Sequence, residues 1–271
     1  IFCKEISMPV LVAPVGGVIL NSKVPGDPAT VEMDYNESVT KGAFDAGTLC
    51  FTGDGGMEYM FESGIVASKK REETVIPTIK PRSNDQIIEK IKIAEQAHAF
   101  AVASDIDAAT LINMHIFGQP VGPKSASDIA ELVKATSLPF IVKGIMSPEE
   151  AIACADAGAK GIVVSNHGGR ILDGMVGTAD VLPEIAKAVK GRLTIFVDGG
   201  VRHGEDVLKM LALGADAVLI GRPIAIAAIG GQAEAVKLLL DALKRELMDA
   251  MMITGVHDLS NVSPDILRRL K

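Results

Sequence analysis

Residues 161–223 read GIVVSNHGGRILDGMVGTADVLPEIAKAVKGRLTIFVDGGVRHGEDVLKMLALGADAVLIGRP. Three apolar runs stand out in it, 161–167, 194–200 and 217–223, and each has a glycine and a polar or charged residue in or beside its end. The runs are apolar nearly throughout, as parallel strands covered on both faces must be. The last two are joined by HGEDVLKMLALGA (203–215), a helical pattern with Gly214 where a helix end favours glycine. Five further runs precede them, at 10–15, 48–53, 75–80, 100–107 and 140–145, giving eight in all. Between them, 34–47, 83–97, 125–135 and 147–159 read as helices. Ser83 or Asn84 caps the second of these and places Ile87, Ile88, Ile91 and Ala94 on one side; Ser125 or Ser127 caps the third. Ser147 caps the fourth, with Pro148 at its first position. Strands alternating with helices over this length predict an α/β fold, the eight-stranded parallel (β/α)8 TIM barrel of usual length ~250 residues. A doubly wound open sheet is the competing fold, but its GxGxxG after the first strand is missing.

Composition narrows the function. The chain has 271 residues, 48% hydrophobic and 23% charged, with a formal net charge of −7. The acidic excess argues against nucleic acid as a partner, because binding phosphates needs a basic face. No unbroken apolar stretch approaches the ~18 to 20 residues of a membrane span, so none is expected. Cys3, Cys50 and Cys154 are odd in number and widely spaced. They form neither a disulfide framework nor a zinc pattern, and buried thiols in a reducing, cytoplasmic setting are expected. The chain opens at Ile1 in strand-like sequence, which reads as an N-terminal segment cleaved, disordered or left out. A single barrel domain over 1–271 is the expectation.

A barrel keeps its chemistry at the C-terminal ends of its strands. Two long loops, 16–31 and 108–124, fall at such ends. Lys143 ends the run FIVK and either reaches solvent or lines the site. Ser165 and His167 share strand parity, so both are expected in the mouth, with Arg170 offering a planar cation for a carboxylate or phosphate. Asp105 and Asp107 also share a face of the fourth strand, where acids need partners, and Asp107 could orient a histidine. Asp198, Gly199, Gly200 and Arg202 close the seventh strand; Gly221 and Arg222 close the eighth. Two Gly/Arg loops leading into helices there form a phosphate site from free N–H groups and positive charge. His98, His115 and His257 read as ordinary surface or loop residues, and no HExxH, Cys–His, Walker or GxSxG pattern occurs; no metal is expected.

At these residues the chain resembles a known family. PFIVKGI (139–145), IVVSNHGGRILDG (162–174), IFVDGGVRHGEDVLKMLALGADAVLIGRP (195–223) and ELMDAMMITGV (246–256) are similar to the FMN-dependent 2-hydroxy acid dehydrogenases and oxidases, the lactate and glycolate oxidase type. The similarity is dense over 140–256 and traceable over 9–107, and the family's N-terminal segment has no counterpart here. The resemblance implies FMN as cofactor. It assigns Ala13, Pro14, Val15 and Gly16 to the segment against the flavin, and Thr78, Asp105 and Ser165 to ring contacts. Lys143 matches the lysine at the flavin N1 and O2 edge. Asp198, Gly199, Gly200, Arg202, Gly221 and Arg222 match the ribityl and phosphate site. It also makes His167 the base, Asp107 its partner and Arg170 the carboxylate anchor, and implies a homo-oligomer, a tetramer or octamer.

The substrate side departs from that pattern. The family's second arginine is absent from 108–124, Lys80 stands where a tyrosine is usual, and Asp105 replaces a hydroxyl residue. Lys80 either supplies the missing carboxylate anchor or neutralises Asp105. The resulting expectation is oxidation of a small lactate- or glycolate-like 2-hydroxy acid to a 2-oxo acid. The alternatives are an FMN-dependent isomerase of the type 2 isopentenyl diphosphate class and a flavin-binding barrel with an altered substrate.

Overall fold

The computed structural model describes residues 1–268. Eight parallel strands close into a barrel in chain order: β1 (Val10–Val12), β2 (Cys50–Thr52), β3 (Val75–Ile79), β4 (Val102–Asp105), β5 (Phe140–Ile145), β6 (Gly161–Val164), β7 (Thr194–Val197) and β8 (Ala217–Ile220), with β1 pairing β8. Alternation along each strand sorts the side chains into two layers. Leu11, Phe51, Ile76, Ala103, Ile141, Val163, Phe196 and Leu219 fill the interior. Val10, Val12, Cys50, Val102, Val142, Ile162, Val197 and Val218 face outward into a second core beneath the helices. Because both faces are covered, the strands are mostly apolar, and Thr78, Asp105 and Lys143 stand toward their C-terminal ends. Phe2 packs against Phe100 and Phe196, at ring separations of 6.1 and 6.2 Å, and closes the N-terminal end of the barrel.

The helices are α1 (Val18–Asn21), α2 (Pro28–Asp45), α3 (Glu58–Lys70), α4 (Asn84–Gln96), α5 (Ile112–Ile116), α6 (Ala126–Lys134), α7 (Pro148–Asp156), α8 (Thr178–Val189), α9 (Gly204–Ala212) and α10 (Arg222–Thr254). Helix α2 starts earlier than the periodicity suggested, because Asp27 caps Thr30 N–H and Pro28 takes the first position. Of the serines proposed as caps, Ser125 builds a capping box with Asp128 and Ser147 accepts from Glu150 N–H. Ser83 precedes α4 without a side-chain cap bond. Gly214, φ 112°, ends the turn after α9.

By length and composition alone α10 is apolar enough to cross a membrane, although no unbroken apolar stretch marks it in the sequence. Its helical course breaks at Gly231 and Gln232. Val236, Leu240, Leu243 and Leu247 are buried, and α10 packs on α2 and α9. Cys50 and Cys154 are buried, and burial pushes the Cys154 thiol up to about 12, but Cys3 is exposed, contrary to expectation.

Candidate active site

The inward parity of the strands runs on past their ends into the mouth. Ala13 follows β1, Thr78 lies on β3, Lys80 follows it, Asp105 ends β4, Lys143 lies on β5, Asp198 follows β7 and Gly221 follows β8, and all line one cavity. Pro14, Val15, Gly16, His167, Arg170, Gly199, Gly200, Arg202 and Arg222 complete its wall from the loops. Ser165 and Asp107 stand one layer back. Ser165 is fully buried and accepts from Lys143 Nζ at 2.7 Å, and Asp107 lies behind His167.

The strands stop short of the sequence expectation, and this changes how two residues arrive. Strand β4 ends at Asp105, and Asp107 sits in a 3-10 turn, Ile106–Thr110, not on the strand. Strand β6 ends at Val164, and His167 begins a short 3-10 turn with φ 56°. Same-face parity therefore does not place Asp107 or His167. Their meeting depends on Gly144, where β5 shifts register. Gly144 has φ 101°, and a Cβ there would stand 2.5 Å from Asp107 Cβ. Asp107 fills the space that this glycine leaves, and its Oδ2 lies 3.0 Å from His167 Nδ1. The His167 backbone N–H donates to Ser165 Oγ at 3.1 Å, fixing the turn from below.

The charges are arranged in pairs. Burial alone raises Asp107, but the His167 hydrogen bond and the Lys143 charge outweigh it and hold its carboxyl below the ordinary value. Lys143 is buried, which disfavours its charge, yet Asp198 at 3.3 Å, with Asp107 and Asp105, holds its pKa above the ordinary value. Lys80 Nζ donates to Asp105 Oδ2, so the lysine neutralises the acid while still lining the cavity. Asp105, Asp107 and His167 bring one potential ligand atom each within 4.8 Å of one another. The ammonium groups of Lys80 and Lys143 already balance that cluster's negative charge.

Two parts of the wall contribute residues that the sequence did not single out, although one of them, the 108–124 loop, is marked by its length. The loop after β2 carries Gly53, Asp54, Gly55 and Gly56. Asp54 is buried, accepts from Lys80 N–H at 3.0 Å and pairs with the buried Arg82 guanidinium, so Arg82 is taken up in bracing two loops. A Cβ on Gly53 would lie 2.6 Å from Gly16 N, so this glycine lets the first two loops touch. The Gly-Asp-Gly-Gly run at a strand end was the signal that could have revealed it. The second part is the loop holding α5, whose Leu111, Asn113, Met114 and Phe117 roof the cavity. The Phe117 ring rests where a side chain on Gly56 would be.

The cavity fits a flavin mononucleotide in three respects. Gly199 and Gly200 have φ 106° and 76°, and nothing lies within 4 Å of a Cβ built on Gly200, so the loop is open to a close ligand. Arg202 and Arg222 are exposed beside it. On the opposite side Thr78 Oγ1 and Asp105 Oδ1 are buried with no hydrogen-bond partner, which calls for a polar ligand edge.

Comparison with known proteins agrees. The sequence model of the FMN-dependent dehydrogenase family matches residues 64–269. The L-lactate dehydrogenase of Caulobacter vibrioides (strain NA1000 / CB15N) is 50% identical over 141 residues, 52% of this chain and 37% of that protein. The L-lactate dehydrogenase of Xanthomonas campestris pv. campestris (strain B100) is 53% identical over 133 residues, 49% of this chain and 34% of that protein. The match thus spans little more than a third of these relatives' length. Crystal structures of mandelate oxidase share the fold. One with (S)-2-phenylpropionate superposes with a TM-score of 0.78 at 30% identity, over 96% of this chain and 78% of that one. A mutant with a monooxide FMN adduct gives 0.76 at 31%, over 96% and 79%. These relatives favour an oxidoreductase over the isomerase alternative.

Proposed function

The chain belongs to the FMN-dependent dehydrogenase family, and from that premise we propose that it oxidises a small 2-hydroxy acid, lactate- or glycolate-like, to the 2-oxo acid. The observation that carries this reading is the His167–Asp107 contact of 3.0 Å at the mouth of a barrel whose last two strands lead into glycine- and arginine-bearing loops on the same cavity. The curated relatives named L-lactate dehydrogenase and the mandelate oxidase neighbours support the substrate class.

In this reading Gly199, Gly200, Arg202, Gly221 and Arg222 would hold the phosphate. Residues 13–16, with Thr78, Asp105 and Lys143, would hold the ring, and Ser165 would act from behind through its hydrogen bond with Lys143. When bound, FMN supplies the acceptor for the electron pair that leaves the substrate. Arg170 on the rim would hold the substrate carboxylate, assisted by a Lys80 N–H donor that Asp105 does not use. His167 Nε2 takes the substrate proton, and Asp107 at Nδ1 fixes the tautomer that leaves Nε2 free and then stabilises the charged ring. Lys143, positive and buried, offsets negative charge arriving at the mouth. The α5 roof, with Met114 and Phe117, keeps water from the reacting atoms. A homo-oligomer belongs to the same reading; the exposed Ile226, Met252 and Ile253 on α10 support it, and the mass in solution tests it.

The deciding experiment is anaerobic mixing of the purified flavoprotein with lactate, glycolate or mandelate. Bleaching of the flavin absorbance with formation of a 2-oxo acid is expected. Protein that holds FMN yet bleaches with no 2-hydroxy acid overturns the proposal.

A further inference from the structure

Three neighbouring strands end in a row of hydrogen-bonding side chains. Thr78 partners Ala103 across β3 and β4, and Asp105 partners Lys143 across β4 and β5. Thr78, Lys80, Asp105 and Lys143 are all buried and all line the cavity. Read across the strands, the row runs donor, acceptor, donor. Lys143 is an ammonium with three N–H groups, Asp105 a carboxylate that can only accept, and Lys80 and Thr78 offer N–H and O–H groups on the far side. The row is unfinished within the protein. Asp105 uses Oδ2 on Lys80, but Oδ1 has no partner, and neither has Thr78 Oγ1. A buried carboxylate oxygen without a donor costs free energy, so a ligand donor at that place is stabilising.

The oxidised flavin ring has one N–H. It is N3–H, flanked by the C2 and C4 carbonyls, so that edge runs acceptor, donor, acceptor. We propose that Asp105 accepts the N3–H of FMN and that Lys80 is the positioning residue that holds this carboxylate in place through its ion pair. The inference rests on FMN as the occupant of the cavity. A hydroxyl at this place could donate or accept; a carboxylate accepts only, and so commits the site to a ring that carries a proton at N3. The charged and titratable groups facing Asp105 are Lys80, Lys143, Asp107 and His167.

The test uses the full chain, freed of flavin and titrated with FMN and with 3-methyl-FMN, which lacks the proton. The parent chain is expected to prefer FMN by a factor on the order of 10² or more, and Asp105→Ala by no more than about tenfold. Equal binding of the two flavins by the parent chain, or full preference retained in Asp105→Ala, overturns the proposal. Asp105→Asn keeps the volume and guards against a variant that does not fold. Removing the carboxylate charge makes the bound ring easier to ionise at N3, so the ionisation constant read from the flavin absorbance is expected to rise about tenfold or more. An unchanged constant overturns the contact. FMN that binds without discrimination sinks this inference alone, whereas a parent chain that binds no FMN sinks the cofactor reading as well.

Discussion

At the scale of single residues the mouth works by pairing charges that could not be buried alone. His167→Ala is expected to keep FMN yet slow flavin reduction by a 2-hydroxy acid by a factor on the order of 10² or more. Asp107→Asn should lose less, because Nε2 still accepts the proton while its support weakens; stopped-flow absorbance compares the two. Asp107 also makes a pH prediction. Its folded carboxyl titrates below the ordinary 3.8, so its stabilisation is complete above that value and fades as pH falls through the folded one. Thermal melts of the parent chain and Asp107→Asn should therefore differ most above 3.8 and converge on acidification. Lys80 decides a further case. Lys80→Met leaves Asp105 buried and uncompensated, which should cost about 3–5 kcal/mol. Denaturant titration should find much of that loss restored in the double variant with Asp105→Asn. An unchanged midpoint for Lys80→Met would mean that the pair contributes nothing to the fold.

At the scale of elements, the strands supply direction and the breaks in them supply the site. The register shift in β5 is the clearest example, since Gly144 admits Asp107 to its place. Gly144→Ala adds a Cβ at positive φ and against Asp107, so a loss of about 1–3 kcal/mol is expected. Activity should fall further than stability accounts for, with kcat affected more than KM, because the displaced Asp107 orients His167. A variant with full kcat would show that the bulge is not needed for that orientation. The apolar runs located every strand, but their ends were read too long everywhere except at β5. Ser165, Asn166 and His167 continue the sequence pattern of a strand, and only the backbone turn at His167 takes them out of it. Asp107 was likewise assigned to β4, because no pattern within residues 100–107 announces a turn that a glycine on β5 makes room for.

At the scale of the whole molecule, eight strands close into one barrel and turn separate loops into one wall. A ligand that binds only this assembled wall must stabilise the folded chain by mass action. FMN at about 100 times its Kd should add roughly 2.7 kcal/mol, or about 5–10 °C in Tm. FAD and nicotinamide nucleotides should give much less. An unshifted melt with FMN would remove it as the ligand. The sequence by itself determined the barrel and the Gly/Arg loops at its last two strands, because two-faced burial and glycine-rich turns are local demands that write local patterns. It also put His167, Lys143 and Arg170 at the mouth, since each follows or ends an apolar run. It left Lys80 between two roles and gave no sign that Arg82 was committed to Asp54. Tertiary structure decided those matters, joining Lys80 to Asp105 and Arg82 to Asp54 across neighbouring strand ends. The reason is physical: desolvation makes a buried charge seek the nearest opposite one, and which is nearest is set by strand register in space, not by spacing along the chain.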